Sequence, residues 1–220
     1  MKSGAPRTLT FQPSGFTAIV PVGAAARADK YASQMMDDGE LRYLAGTSLS
    51  FAWTSNALVV EIGSYAGLTA AFVAETLAEA GRANPVLSID PFERVPNTRK
   101  NPQGKYKRYL RTMRERGLEN RCLPLVAYSH DAAAVVPDRV GLLIIDGNHE
   151  YESVARDLAL FAPKVLPGGF IFLDDHTETY PGVVKAVEGF VDATPDFELL
   201  HQTYFAILRR REESGTADTE

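Results

Sequence analysis

Residues 140–176 read VGLLIIDGNHEYESVARDLALFAPKVLPGGFIFLDDH. Two apolar runs within them, 141–145 and 169–173, each end in acid: Asp146 after the first, Asp174 and Asp175 after the second. Short apolar runs bounded in this way suit buried strands, and residues 151–165 between them have helical character. A connection of that length joins its strands in parallel, with a right-handed crossover. Parallel strands end together, so Asp146, His149, Asp174, Asp175 and His176 are expected along one edge of a sheet. Open α/β sheets bind ligands at the carboxyl ends of their strands.

The same alternation extends on both sides. Residues 57–62, ALVVEI, read as a buried strand, followed by an alanine-rich helix over 68–80 that Gly81 ends. A second strand, 85–89, runs into Asp90. Residues 91–105 carry Pro91, Pro96 and Pro102 and make a loop long enough for a lid. A basic helix over 106–116 and a third strand over 122–127 lead into the opening unit. Beyond it, a helix over 182–192 precedes two β-like runs, 197–201 and 204–209, whose two-residue link allows only antiparallel pairing. The expectation is an α/β fold built on a mostly parallel sheet with one antiparallel strand at its edge.

Residues 1–27 show no clear period. A helix is expected over 29–44, with Tyr31, Met35, Leu41 and Leu44 as its apolar residues, and a short one over 48–53. Residues 1–53 are read as a cap over the mouth of the main domain, 54–210 as that domain, and 211–220 as a polar, frayed tail, one domain in all. A plain packing role for the first segment is the alternative.

With 45% hydrophobic and 23% charged residues, the composition is that of a soluble globular protein. The net charge of −5 gives no footprint for nucleic acid or an anionic membrane. Cys122 is the single cysteine, which excludes an internal disulfide and a multi-Cys zinc site and suits a reducing cytoplasm. The apolar run 16–26 has the outline of a secretory signal, but Pro21 and Gly23 interrupt it. No run approaches the ~20 apolar residues of a membrane span.

Glu61, Gly63, Ser64 and Gly67 lie where the first strand hands over to its helix. Glycines there permit close approach of a ligand, and the helix N-terminus offers free N–H groups to an anion. Asp90, closing the next strand, is placed to accept ribose hydroxyls. The spacing is E-x-G-x-x-x-G; a dinucleotide-binding G-x-G-x-x-G is not met, because Tyr65 stands at its second glycine. Converging carboxylates at Asp146, Asp174 and Asp175 repel unless protonated, hydrogen-bonded or joined to a cation, and oxygen ligands suit Mg²⁺ or Ca²⁺.

Together, E-x-G-x-x-x-G, SIDPF at 88–92, DGNHEY at 146–151, LPGGFIFLDDH at 166–176 and P-G-V-x-x-A from Pro181 resemble class I S-adenosylmethionine-dependent methyltransferases. The resemblance covers roughly residues 57–210 and is strongest in the metal-dependent branch of small O-methyltransferases of macrolide sugars and other saccharides. It implies a Rossmann-like sheet of seven strands in the order 3-2-1-4-5-7-6, counted from residues 57–62. It implies that Glu61 and Gly63 border the methionine end of S-adenosylmethionine, with Ser64 and Gly67 of the same turn also binding the cofactor, and that Asp90 holds the ribose. Tyr128 and Ser129 would lie near the adenine, although an acid often precedes that serine in the family. Asp146 would border the cofactor and, with Asp174 and Asp175, hold Mg²⁺. Relatives that act on catechols carry lysine three residues after the first of these acids; those that act on sugars carry histidine, as general base. His149 holds that position.

The resulting expectation is a Mg²⁺-dependent O-methyltransferase of a sugar hydroxyl, with His149 as base, Asp146 beside it and the cation chelating a substrate diol. His176 and Tyr151 are candidate substrate contacts, against plainer readings as a histidine bonded to loop backbone and a packing tyrosine. Arg94, Arg99, Lys100, Lys105 and Lys107 make a basic lid or a solvated face. The rivals are a catechol or phenol methyltransferase, a nucleotide-binding oxidoreductase and a non-catalytic module of the same fold. The expected partner is a small-molecule or saccharide substrate, with neither nucleic acid nor membrane, and the resemblance admits a homo-oligomer.

Overall fold

The computed structural model describes residues 6–32, 36–92 and 102–212. The chain opens with strands β1 (Arg7–Thr10) and β2 (Thr17–Val20), paired antiparallel, and helices α1 (Val22–Tyr31) and α2 (Asp38–Ser50). There follow β3 (Leu58–Ile62), α3 (Leu68–Glu79), β4 (Val86–Ile89), α4 (Pro102–Arg116), β5 (Cys122–Leu125) and the short α5 (Ser129–Ala132). The last third holds β6 (Val140–Ile145), α6 (Tyr151–Phe161), β7 (Val165–Leu173), α7 (Pro181–Ala193), β8 (Phe197–Gln202) and β9 (Ala206–Arg210).

Strands β3 to β9 form one sheet in the order β5-β4-β3-β6-β7-β9-β8. This is the order 3-2-1-4-5-7-6 expected from the resemblance. The reversed strand is β9, antiparallel to both its neighbours and one place in from the edge that β8 closes. Both faces of the sheet are covered, which is why its central strands read as continuous apolar runs rather than alternating ones. Along β6, Leu142 and Ile144 enter the core on one face, and Leu143 and Ile145 the core on the other. Phe170 and Phe172 of β7 likewise oppose Ile171 and Leu173.

The first core also takes Phe11, Val20, Ala28, Leu41, Leu44 and Trp53 from the N-terminal segment, packed with Phe72 of α3 and with Tyr109 and Met113 of α4. The segment expected as a cap is therefore part of this helical layer. Its elements differ from the sequence reading. A hairpin forms where no period was visible, and the first helix begins at Val22, with a second starting afresh at Asp38. The restart has a local cause, a capping box. The Asp37 side chain accepts from the Glu40 N–H at 2.8 Å, and the Glu40 side chain accepts from the Asp37 N–H at 3.3 Å. No separate helix exists over 48–53, because α2 runs to Ser50. In the opening unit, the helix expected to reach residue 165 stops at Phe161 and Pro163 directs a 3-10 turn into β7. Helix α4 starts at Pro102, four residues before the expected start. Met35, Arg94, Arg99, Lys100, most of the 91–105 loop and the tail beyond Glu212 lie outside the described residues.

Register positions the site. Ile62 pairs with Ile89 and with Ile145, and Ile145 pairs with Leu173. The residues that follow these four strand ends, Gly63, Asp90, Asp146 and Asp174, therefore share one edge. The backbone carries the ladder one step past each strand: Gly63 N–H donates to Ile89, Asp146 N–H to Ile62 and Asp174 N–H to Ile145.

Candidate active site

A cavity of about 900 Å³ opens at that edge, floored by Gly63, Asp90 and Asp146 and walled by Tyr128, His149 and Tyr180. Gly63 has φ +89°, and a Cβ there would lie 1.9 Å from the Asp146 carbonyl oxygen, so only glycine lets the loop after β3 pass the loop after β6. Gly67, at φ +74°, caps α3 where a Cβ would strike Met113 and Tyr109 of α4. Asp90 holds this turn: its carboxylate accepts from the Tyr65 N–H at 2.8 Å and from the Phe92 N–H at 2.5 Å. Each oxygen keeps a second acceptor site, and Asp90 lines the cavity.

Glu61 is 1% exposed beneath the glycine turn and accepts from the Ser88 hydroxyl at 3.1 Å. Burial pushes its carboxyl up to about 7, against the opposing pull of Ser64 and Ser88. Ser64, buried in the same turn, lies beside it. At the opposite end, Tyr128 is half-exposed and stacks on His130, and Ser129 donates to Asp157 of α6 at 2.6 Å.

Asp146, His149 and Asp175 each bring a ligand atom within 4.8 Å of the others. His149 Nε2 lies 3.0 Å from Asp175 Oδ2, and its ring packs on Tyr180 at 4.3 Å. Asp175 takes φ +57°, a conformation short polar residues tolerate, and this turn sends its side chain toward His149. Asp174 accepts from the Asp175 N–H at 2.7 Å and lines a smaller adjoining cavity with Asp146 and Asp175. Loss of solvent, then Asp174, Glu61, Asp175 and Asp90, holds the Asp146 carboxyl well above the usual carboxylate range. Burial and Asp174 raise Asp175, while His149 pulls it down. Carboxylates crowded at this cost fit a hard divalent cation, and the donor set of oxygens with one imidazole nitrogen is compatible with Mg²⁺ or Mn²⁺.

The two weaker candidates lie elsewhere. His176 is 5% exposed, and its Nδ1 donates to the Thr203 carbonyl at 3.0 Å, because a carbonyl can only accept. This is the hydrogen bond of the plainer reading, a histidine bonded to loop backbone. Tyr151 starts α6, carries Lys185 over its ring and faces the apolar groove between α6 and α7, away from the main cavity. His201 is a core residue that accepts from the Gln12 N–H. Of the basic lid residues that are described, Lys105 lines the cavity and lies over the Tyr65 ring.

Three contributors were missed in the sequence. Asp157 sits on the buried stripe of α6 between Val154 and Leu158, where an acid is out of pattern. Tyr180 precedes Pro181 in what read as a helix start. Glu40 reads as half of a capping box, with nothing to place it beside Asp174.

A family model described as a methyltransferase domain matches residues 60–176. The chain belongs to the methyltransferase-domain family. An uncharacterized protein of Acanthamoeba polyphaga mimivirus is 35% identical over 71 residues, 29% of this chain, and the match spans about a third (32%) of that relative's length. Among solved structures, the O-methyltransferase NovP superposes with a TM-score of 0.66 at 20% identity, over 81% of this chain and 82% of its own. A Podospora anserina methyltransferase solved with S-adenosylhomocysteine gives 0.61 at 12% identity, over 88% and 89%. These likenesses establish a class I S-adenosylmethionine-dependent methyltransferase fold for the methyltransferase-domain chain. Among its described residues, no helix is long and apolar enough to cross a membrane.

Proposed function

We propose that this chain is an S-adenosylmethionine-dependent O-methyltransferase that uses a divalent cation and acts on a saccharide hydroxyl. The observation that carries the reading is the convergence of Asp146, His149 and Asp175 beside the glycine turn. NovP, by its name an O-methyltransferase, shares the fold and supports oxygen as the acceptor.

In this reading Gly63, Ser64 and Gly67 admit the methionine end of the cofactor against the α3 N-terminus, with Glu61 beneath. Asp90 receives the ribose hydroxyls while holding the turn. Tyr128 and Ser129 border the adenine, and Asp157 supplies the acid that relatives place just before the serine. Asp146, Asp174 and Asp175 would hold the cation, which when bound would supply Lewis-acid activation of the substrate hydroxyl. His149 takes the hydroxyl proton on its imidazole. S-adenosylmethionine, when bound, would supply the sulfonium methyl, its carbon–sulfur bond breaking as the oxygen–carbon bond forms, with a neutral thioether leaving. A saccharide is favoured over a phenol because its hydroxyl is far less acidic and needs a base such as imidazole near neutral pH.

The test is turnover on a saccharide panel and a catechol panel, with EDTA and then Mg²⁺ added back. Methylation of saccharides that EDTA abolishes and Mg²⁺ restores is expected. Full turnover in EDTA removes the cation, and turnover of catechols alone removes the saccharide.

A further inference from the structure

Five carboxylates, rather than three, line the smaller cavity of about 310 Å³: Asp146, Asp174 and Asp175 from the sheet edge, and Asp37 and Glu40 from the start of α2. The two N-terminal acids differ. Asp37 Oδ1 receives the Glu40 N–H at 2.8 Å and the Tyr204 hydroxyl at 3.0 Å, so its charge is satisfied locally. Glu40 is 5% exposed. Its Oε2 receives the Asp37 N–H at 3.3 Å, whereas its Oε1 is buried with no donor among the described residues. The group it faces is Asp174, whose carboxylate has only acceptor oxygens when ionised. Burial first, and Asp174 next, push the Glu40 acid strongly upward. A buried carboxylate aimed at another carboxylate needs a proton or a cation between them.

We propose that Glu40 is a further carboxylate of the cation site, contributed by the N-terminal segment, so that cation binding and the docking of α2 are one event. The inference rests on the cation reading given above. Its geometric basis is a separate observation, the buried and unpartnered Glu40 oxygen, on a residue of a helix that precedes all three sheet-edge acids in the chain. The cavity can hold a hard ion with part of its water shell, and a cation there would meet the unpaired Glu40 oxygen as well as Asp174. The segment that covers this edge would then be clamped in the cation-loaded protein and looser without it.

The experiment is Mn²⁺ binding to the full chain in the presence of S-adenosylhomocysteine, by calorimetry and electron paramagnetic resonance. Wild type, Glu40→Gln and Asp174→Asn are compared, with hydrogen exchange of the α2 amides. Glutamine preserves the capping box, so α2 can still form, and an unchanged S-adenosylhomocysteine isotherm reports an intact fold. The expected result is a loss of Mn²⁺ affinity of about tenfold to a hundredfold in Glu40→Gln. Mn²⁺ should slow exchange of the α2 amides in wild type and not in the variant. Mn²⁺ affinity within twofold of wild type overturns the proposal, since a glutamine amide can replace a protonated Glu40 as donor to Asp174 but cannot replace an anionic ligand. If Glu40→Gln also loses S-adenosylhomocysteine, the α2 amides of the cation-free variant decide. Wild-type-like protection there keeps the proposal, and early exchange assigns Glu40 to folding and overturns it. Wild type that takes up no Mn²⁺ removes the cation reading itself, whereas wild-type binding lost in Asp174→Asn but kept in Glu40→Gln removes the Glu40 role alone.

Discussion

The imidazole of His149 reaches Asp175 at 3.0 Å and has a nitrogen within 4.8 Å of an Asp146 carboxylate oxygen, which gives it two chemical options. As a base it must leave a nitrogen for the substrate proton; as a ligand it would spend that nitrogen on the cation. His149→Ala separates them. The base role predicts turnover lower by about 10²- to 10⁴-fold, with Mg²⁺ and S-adenosylhomocysteine affinities nearly unchanged. Loss of Mg²⁺ binding in that variant would make the residue a ligand. A second prediction concerns Glu61. Its folded acid sits at about 7 against an ordinary 4.5, so the folded state keeps a proton that the unfolded chain releases. The stability this proton supplies is fully present below about 4.5 and is lost as pH rises through about 7, a span worth roughly 3 kcal/mol. Glu61→Gln should flatten the fall in stability between about pH 4.5 and 7 measured by urea unfolding. Because Asp146 shifts in the same direction, the readout is the difference between the two slopes, and equal slopes would count against the burial account.

At the level of elements, the loops after β3 and β6 touch where Gly63 passes the Asp146 carbonyl, with a prospective Cβ contact of 1.9 Å to backbone. Backbone cannot rotate aside as a side chain can. Gly63→Ala should therefore cost about 3 kcal/mol from left-handed strain and overpacking together, seen as a melting temperature lower by roughly 6–12 °C. It should also weaken S-adenosylhomocysteine binding. Gly147→Ala, whose Cβ would first meet Ile62 at 3.5 Å, is the matched control and should be far milder in thermal melts. A Gly63→Ala protein as stable as that control would refute the close-approach argument. The same elements explain what was legible. Strands β6 and β7 are buried on both faces, so their apolar runs and the acids that follow them stand out in one dimension. The β1–β2 hairpin was invisible because its strands are only four residues long and β1 is largely exposed. Burial does alternate along β2, but the apolar Ile19 stands on its exposed side, so the sequence shows no period there. Glu40 and Asp157 were illegible as site residues for another reason: each has a sound local role, one in a capping box, the other with Ser129. Only the packing of α2 and α6 onto the sheet brings them to the acids and the cavity.

For the molecule as a whole, the modest net charge of −5 hides an uneven distribution. Glu61, Asp90, Asp146, Asp174 and Asp175 gather at one sheet edge, and Asp37 and Glu40 of the N-terminal layer face the last three across a cavity. Without a cation, folding pushes these acids together and stability is spent on the site. Removing one of them should therefore stabilise the cation-free protein while disabling its response, the reverse of what most buried substitutions do. Asp174→Asn keeps the shape and an oxygen for the Asp175 N–H but removes the charge shared by Asp146, Asp175 and Glu40. Its melting temperature in EDTA should exceed that of wild type by a few degrees, since about 1 kcal/mol corresponds to ~2–4 °C in a chain of this size. Wild type should gain about 2.7 kcal/mol when Mg²⁺ is a hundredfold above its dissociation constant, a rise of roughly 5–10 °C that Asp174→Asn lacks. Differential scanning calorimetry with and without Mg²⁺, at fixed S-adenosylhomocysteine, measures both. A variant that melts below wild type in EDTA and still responds fully to Mg²⁺ would mean that the acids hold one another through hydrogen bonds, and that the sheet edge was not built around a cation.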